Sequence, residues 1–167
     1  MGKRHRVGII GFGHPHINHV AKLFCGNPQT EWVACADTHP LRPELRKAPY
    51  TREWNRDNVM KLSGMSKCYG DYREMLKKER FDLVLVQCEN AQHPDVVEAC
   101  AGAGVNVCVE KPMAASLADG RRMDAACKNA GTMLAVNWPP TWLPHARKAK
   151  EILDSGLIGR VLEIDYR

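Results

Sequence analysis

The chain has 167 residues, 44% of them hydrophobic and 26% charged, with a formal net charge of +5, which is one globular domain with a little to spare. No apolar run approaches the roughly 20 residues that span a bilayer, and the basic residues are spread out without interleaved aromatics, which sets aside a membrane-embedded chain and a nucleic-acid partner. Seven cysteines, an odd number with no Cys-x-x-Cys pair, read as small buried hydrophobes in a reducing compartment and not as a disulfide framework or a metal site.

The N-terminus is basic through Lys3, Arg4, His5 and Arg6, but the apolar stretch behind it is too short and glycine-rich for a signal peptide, so the chain reads as cytoplasmic. Val7, Ile9 and Ile10 predict a strand buried on both faces of a parallel sheet. Gly11 and Gly13 come at once after it, and a helix is expected from Ile17 to Phe24. Strand, glycine turn and helix in that order make a dinucleotide-binding crossover. Gly11 permits the tight turn because a residue without Cβ tolerates positive φ. Gly13 lets the backbone approach a pyrophosphate lying on the free N–H groups of the helix N-terminus, with Phe12, His14, Pro15 and His16 around it. His16 stands where the usual pattern has its third glycine, whose ordinary service is helix–strand packing. A two-glycine fragment alone is explained almost as well by a buried strand and a turn. The position near the N-terminus and the pattern of the later strands decide between them.

Trp32 to Ala36 predicts a second buried strand ending on Asp37. A segment rich in proline and basic residues runs from Thr38 to Gly64, with a helix expected over Asn55 to Leu62. Further strands are expected at Lys67 to Tyr69, Phe81 to Gln87, Val105 to Val109 and Thr132 to Val136. Between them helices are expected at Asp71 to Lys78, capped by Asp71, at Pro94 to Ala103 with proline in its first turn, and from Ser116 to Ala130, stopped by Gly131. Six apolar strands separated by helices mean an α/β fold with a doubly wound parallel sheet. After Asn137 the alternation breaks at Trp138-Pro139-Pro140. A helix from Leu143 to Asp154 and a strand from Val161 to Tyr166 are expected, the start of a second sheet whose unpaired edge would favour self-association. The expected division is a dinucleotide-binding domain over 1–137 and the opening of a further α/β domain over 138–167. The chain reads as cut short.

Asp37 lies 24 residues after Gly13, near the spacing of about 20 for a carboxylate that accepts hydrogen bonds from an adenosine ribose. Behind a glycine turn that reading outweighs a turn-forming aspartate, and a carboxylate there favours NAD over NADP. Arg42, Arg46, Lys47, Arg52 and Arg56 keep NADP open, since one of them could meet a 2′-phosphate. Glu110-Lys111-Pro112 comes after the fifth strand at the carboxyl edge, where ligands of such sheets bind. Lys111 there can bond a substrate hydroxyl, against the plainer reading of a solvated loop lysine, and Pro112 can hold a cis turn. His14, His16 and His19 are candidates for metal ligands by residue type. They straddle a turn with no cysteine or carboxylate pair beside them, so no metal is expected.

Together these residues resemble the N-terminal half of the glucose–fructose oxidoreductase / inositol dehydrogenase (Gfo/Idh/MocA) family. The likeness is carried by Val7 to Gly13, Asp37, Tyr69 to Leu76, Asn90 with His93, Glu110-Lys111-Pro112 and Asp154 to Gly159, in order along nearly the whole chain. It implies NAD(P)-dependent oxidation or reduction of a sugar, polyol or related hydroxy compound. It implies Lys111 as the catalytic lysine, with Asn90, His93, Glu110 and Asn137 near the cofactor. It also implies a C-terminal domain that supplies an acid–base partner, the rest of the substrate pocket and an oligomer interface; with only its first strand expected here, the chain is expected to bind the dinucleotide but to be catalytically incomplete. The alternative is a stand-alone nucleotide-binding or redox-sensing module without turnover, which requires a reading frame ending at Arg167.

Overall fold

The computed structural model describes residues 2–39 and 48–165. The chain divides into two units, Met1–Asn137 and Trp138–Arg167. The first alternates strand and helix: β1 His5–Ile10, α1 Ile17–Cys25, β2 Thr30–Ala36, α2 Arg52–Ser63, β3 Cys68–Tyr69, α3 Tyr72–Lys78, β4 Leu83–Val86, α4 His93–Gly102, β5 Asn106–Glu110, α5 Leu117–Ala130 and β6 Leu134–Asn137. The six strands pair in parallel in one sheet of order β3-β2-β1-β4-β5-β6. This is the expected doubly wound sheet. The chain winds outward from β1 in one direction and from β4 in the other, so the loops leaving these two neighbours part and open a crevice at the strands' carboxyl ends.

Side chains that alternate along the strands feed two cores. Ile10, Ala34, Ala36, Val84, Val86, Val107 and Val109 lie in one, with Met75 of α3, Val97 of α4 and Met123 of α5. Val7, Ile9, Cys35 and Leu85 lie in the other, with Ile17 and Ala21 of α1 and Val59 of α2. Full burial of each Val, Ile or Leu contributes about 1.5–3 kcal/mol. The helix boundaries obey local chemistry. Asp71 accepts the N–H of Arg73 at 2.8 Å and Ser116 accepts that of Asp119 at 3.1 Å, each satisfying a donor that the first turn leaves open. Gly131 closes α5 in the left-handed region at φ 67. α2 starts three residues before its expected position, with Thr51 at its cap in extended geometry.

The second unit holds a 3₁₀ turn, Pro139–Trp142, and α6, Pro144–Asp154. The strand expected from Val161 is not formed: residues 161–165 have no regular structure, and Tyr166 lies outside the described residues. An isolated strand has no partner for its N–H and C=O groups, and among the described residues the paired strands all belong to the first unit's sheet. The edge invoked for self-association goes with it. Leu157, Ile158, Leu162 and Ile164 are exposed. Of the cysteines, Cys35, Cys88, Cys100 and Cys127 are buried as expected, while Cys25 and Cys68 are exposed. Among the described residues no helix is long and apolar enough to cross a membrane.

Candidate functional site

β1 delivers the glycine turn into the crevice. Gly11 has φ 87, and a Cβ on it would stand 2.5 Å from the backbone nitrogen of Cys88. Only glycine satisfies both the backbone angle and that approach. A Cβ on Gly13 would meet Arg52 Nη2 at 3.2 Å and the Glu89 carboxylate at 3.5 Å. Phe12 is fully buried and its carbonyl accepts a bond from Asn55 Nδ2 at 3.0 Å. The N–H of His14 donates to Gln87 O and that of His16 to His14 Nδ1, both at 3.2 Å, the long end of the range. Pro15 is exposed and its carbonyl accepts from Asn18. His16 caps α1 without a side-chain cap bond; its ring turns across the crevice, Nδ1 3.0 Å from Oε1 of Glu110.

Asp37 leaves the end of β2. Its Oδ1 accepts the N–H of Thr38 at 2.8 Å and a bond from Arg52 Nη1, while Nη2 of the same guanidinium bonds Glu89. Burial pushes the Asp37 carboxyl above its ordinary value, and Arg52 opposes that shift. Of the basic residues that keep NADP open, Arg52 therefore stands beside Asp37, with its side chain 11% exposed. Arg56 pairs with Asp57 at 2.8 Å, and Arg42, Arg46 and Lys47 lie outside the described residues. Sequence reasoning reaches neither Glu89 nor the double role of Arg52. The usable signal for Glu89 is its position three residues past β4, on the crevice edge.

At the end of β5 the buried Glu110 is anchored by Asn137, whose Nδ2 donates to Oε2 at 2.8 Å. The next peptide bond, Lys111–Pro112, is cis. The rings of His14 and His16 meet edge-on with centroids 4.3 Å apart. The His14 pKa is lowered chiefly by burial; Glu110 opposes this, and His16, Lys111 and His93 reinforce it. Asn90 opens a 3₁₀ turn, Asn90–Gln92, and is half-buried. His93 departs from expectation. Its ring is fully buried, with Nδ1 2.9 Å from Met113 O and Nε2 3.1 Å from Cys88 O. It lies between the loop after β5 and the loop after β4, donating in its neutral form to one of these two carbonyls, and has no solvent face.

The polar atoms that this edge leaves unsatisfied matter as much as those it pairs. Thr38 Oγ1, both amide atoms of Gln87, Glu89 Oε2 and Gln92 Oε1 are buried without a hydrogen-bond partner among the described residues. All lie just past the ends of β2 and β4, and buried polar groups ordinarily find partners. A parallel sheet of this order, with a glycine turn at its switch point and an acid past β2, defines a dinucleotide-binding domain.

Residues 5–138 match the family described as "Oxidoreductase family, NAD-binding Rossmann fold", GFO_IDH_MocA. The chain belongs to this Gfo/Idh/MocA family of oxidoreductases. It is 35% identical over 164 residues to myo-inositol 2-dehydrogenase of Thermotoga maritima, covering 97% of this chain and 45% of that protein. It is 30% identical over 156 residues to a 1-carboxy-3-chloro-3,4-dihydroxycyclohexa-1,5-diene dehydrogenase of Comamonas testosteroni, covering 93% and 36%. Among solved structures it resembles the WlbA dehydrogenase of Bordetella pertussis in complex with NADH and UDP-GlcNAcA, at 25% identity and TM-score 0.73, covering 95% of this chain and 44% of that one. The chain thus spans less than half the length of these relatives.

Proposed function

We propose that this chain is the cofactor-binding half of an NAD-dependent oxidoreductase acting on a sugar, polyol or related hydroxy compound, with Lys111 as its catalytic lysine. The observation that carries the reading is the convergence on one crevice of the Gly11–Gly13 turn, Asp37 and Glu110-Lys111-Pro112, from the ends of β1, β2 and β5. The orphaned polar atoms of Thr38, Gln87, Glu89 and Gln92 fit a polar ligand along that edge, and the bare Cα of Gly13 fits close approach of a phosphate. The substrate class rests on the inositol dehydrogenases among the relatives.

The dinucleotide, when bound, supplies the hydride acceptor for oxidation and the donor for reduction. Asp37 would accept hydrogen bonds from the adenosine ribose, which requires the Arg52 guanidinium to share or release Oδ1. Lys111 would bond the substrate hydroxyl, take its proton as the carbonyl forms, and return it in the reverse direction. Glu110, held by Asn137 and His16, fixes the strand end from which Lys111 emerges.

Calorimetric titration of the chain with NADH and, separately, NADPH tests the cofactor reading. Saturable NADH binding that weakens about 10- to 100-fold in Asp37→Ala, as charge-assisted bonds to a ribose are lost, is the expected result. Tighter binding of NADPH would transfer the role to Arg52. Binding of neither would defeat the reading for this chain.

A further inference from the structure

The crevice brings together three side chains that distance in sequence keeps apart. One ligand atom from each of His14, His16 and Glu110 falls within 4.8 Å of the others. Glu110 lies 94 residues from His16, and it supplies the carboxylate that the histidines lack as a sequence cluster. His19, the third histidine of that cluster, is exposed on α1 and takes no part. From this geometry we infer that His14, His16 and Glu110 form a binding site for a first-row divalent cation, best matched by zinc.

Two imidazoles and one carboxylate are the protein ligand set of an open zinc site, which leaves the fourth position for water or another oxygen. Zinc binds such nitrogens and oxygens at about 2.0–2.2 Å, which puts neighbouring donors of a tetrahedron roughly 3.3 Å apart. His16 Nδ1 and Glu110 Oε1 already stand at 3.0 Å; the His14 donor, within 4.8 Å of both, has to close on them, and its Nδ1, if that is the ligand, has to release the N–H of His16. The surroundings supply the orienting bond that zinc carboxylates commonly have: Asn137 holds Oε2 at 2.8 Å and turns Oε1 towards the two rings.

A second observation points the same way. The Glu110 side chain is 1% exposed, and among the described residues His16 is its one ion-pair partner within 4.0 Å. A buried carboxylate needs compensating positive charge. Asp37, by contrast, has the guanidinium of Arg52. A dication bound by two neutral rings and one carboxylate supplies that charge at Glu110 and keeps one positive charge over. The fourth position then suits an anionic oxygen, and the glycine turn lies immediately before His14 in the chain. The site shares residues with the proposed cofactor crevice but does not rest on that reading, since the ligand set stands without a nucleotide.

The experiment is a titration of tag-free protein with zinc, without nucleotide, after chelator treatment. Calorimetry should give one zinc per chain, and Co²⁺ should give the visible absorption of a four-coordinate nitrogen–oxygen site without a thiolate charge-transfer band. Affinity should fall at least 100-fold in His14→Ala and in His16→Ala, and remain within about threefold of wild type in His19→Ala and Cys68→Ser. Because His14 and Glu110 are partly or wholly buried, the half-exposed His16 is the primary variant, with circular dichroism to confirm folding. Zinc-induced shifts of the His14 and His16 ring resonances in the unmutated protein provide a test that needs no variant. No saturable binding, binding indifferent to His16, or binding lost in Cys68→Ser would overturn the assignment. NADH titration in the presence of chelator keeps this outcome separate from that of the cofactor reading.

Discussion

The crevice has two halves, each built around a carboxylate at the end of a strand, and they neutralise it differently. Past β2, Asp37 is 25% exposed and meets Arg52, which also holds Glu89. Past β5, Glu110 is almost wholly buried and meets a histidine and an asparagine. Guanidinium is permanently charged and never a metal ligand, whereas imidazole is the commonest one. The β2 half is thus a closed ion-pair network over Gly13 that a ligand must open. The β5 half is a buried carboxylate paired with a histidine and an asparagine, next to the lysine proposed to do the chemistry. One sheet edge provides both because its loops diverge at the switch point, bringing α2 to one side and the α1 turn to the other.

The largest expected effect lies in the β5 half. In a protein that joins this half to its substrate-binding half, Lys111→Ala should lower kcat about 10²- to 10⁴-fold, the usual contribution of a positioned acid–base group, while NADH affinity changes less than about threefold. NAD⁺ reduction measured across a panel of polyols, with NADH binding measured on the same variant, checks both. A comparable loss of NADH affinity would instead make Lys111 a cofactor ligand.

Next come the two glycines, which separate fold from site within three residues. Gly11→Ala forces a side chain into φ 87 and drives Cβ to 2.5 Å from the Cys88 backbone. A destabilisation of about 3 kcal/mol or more is expected, a fall in Tm on the order of 10 °C for a domain of this size. Gly13→Ala meets only the ends of Arg52 and Glu89 at 3.2 Å or more. It should leave Tm within about 3 °C and weaken NADH binding. Equal thermal losses in the two variants would show that the turn is packed throughout and that Gly13 is not kept for a ligand.

The β2 half should show itself in the pH dependence of stability. Burial raises the Asp37 pKa in the folded state above its ordinary value. The folded chain therefore favours the protonated acid. Stability from this group is fully present below the unfolded pKa of about 3.9 and is lost as pH rises through the raised folded value. Asp37→Asn removes the dependence, so its urea midpoint should gain on wild type as the pH rises from the unfolded pKa through the raised folded one. A midpoint difference that moves the other way would mean that Arg52 outweighs burial.

What is legible in the sequence is what neighbours in the chain determine. The glycine turn, the caps at Asp71 and Ser116 and the strand–helix alternation each depend on a few consecutive residues, so local patterning finds them. The pairings that give the halves their character, His16 with Glu110 and Arg52 with Asp37 and Glu89, join residues brought together by strand order. In the sequence Arg52 is only one of five basic residues, and Glu110 only part of the Glu-Lys-Pro turn. The expected strand after Val161 fails for the complementary reason: its alternation of apolar and acidic residues is a pattern for pairing, and pattern without a partner does not make a strand.

The smallest effect expected is also at the β2 side, at its outer edge. Cys35 on β2 and Cys68 on β3 are direct partners in the sheet. Interaction with the neighbouring Cys35 thiol lowers the Cys68 thiol to about 7, with burial opposing and Arg56 assisting. The same interaction and burial push Cys35 up, whose Sγ donates to Lys67 O at 3.6 Å. Thiolate is the reactive form, so alkylation of exposed Cys68 by iodoacetamide should rise with a midpoint near pH 7, whereas Cys35 stays inert. Cys35→Ala removes the neighbouring thiol and should move the Cys68 midpoint upward, towards an ordinary cysteine, with little change in Tm. Mass spectrometry of the alkylated peptides against pH reads both residues at once. An unchanged midpoint in Cys35→Ala would assign the shift to Arg56, and would extend to this edge the rule seen at Asp37, that arginines from α2 set the charge balance of the β2 half.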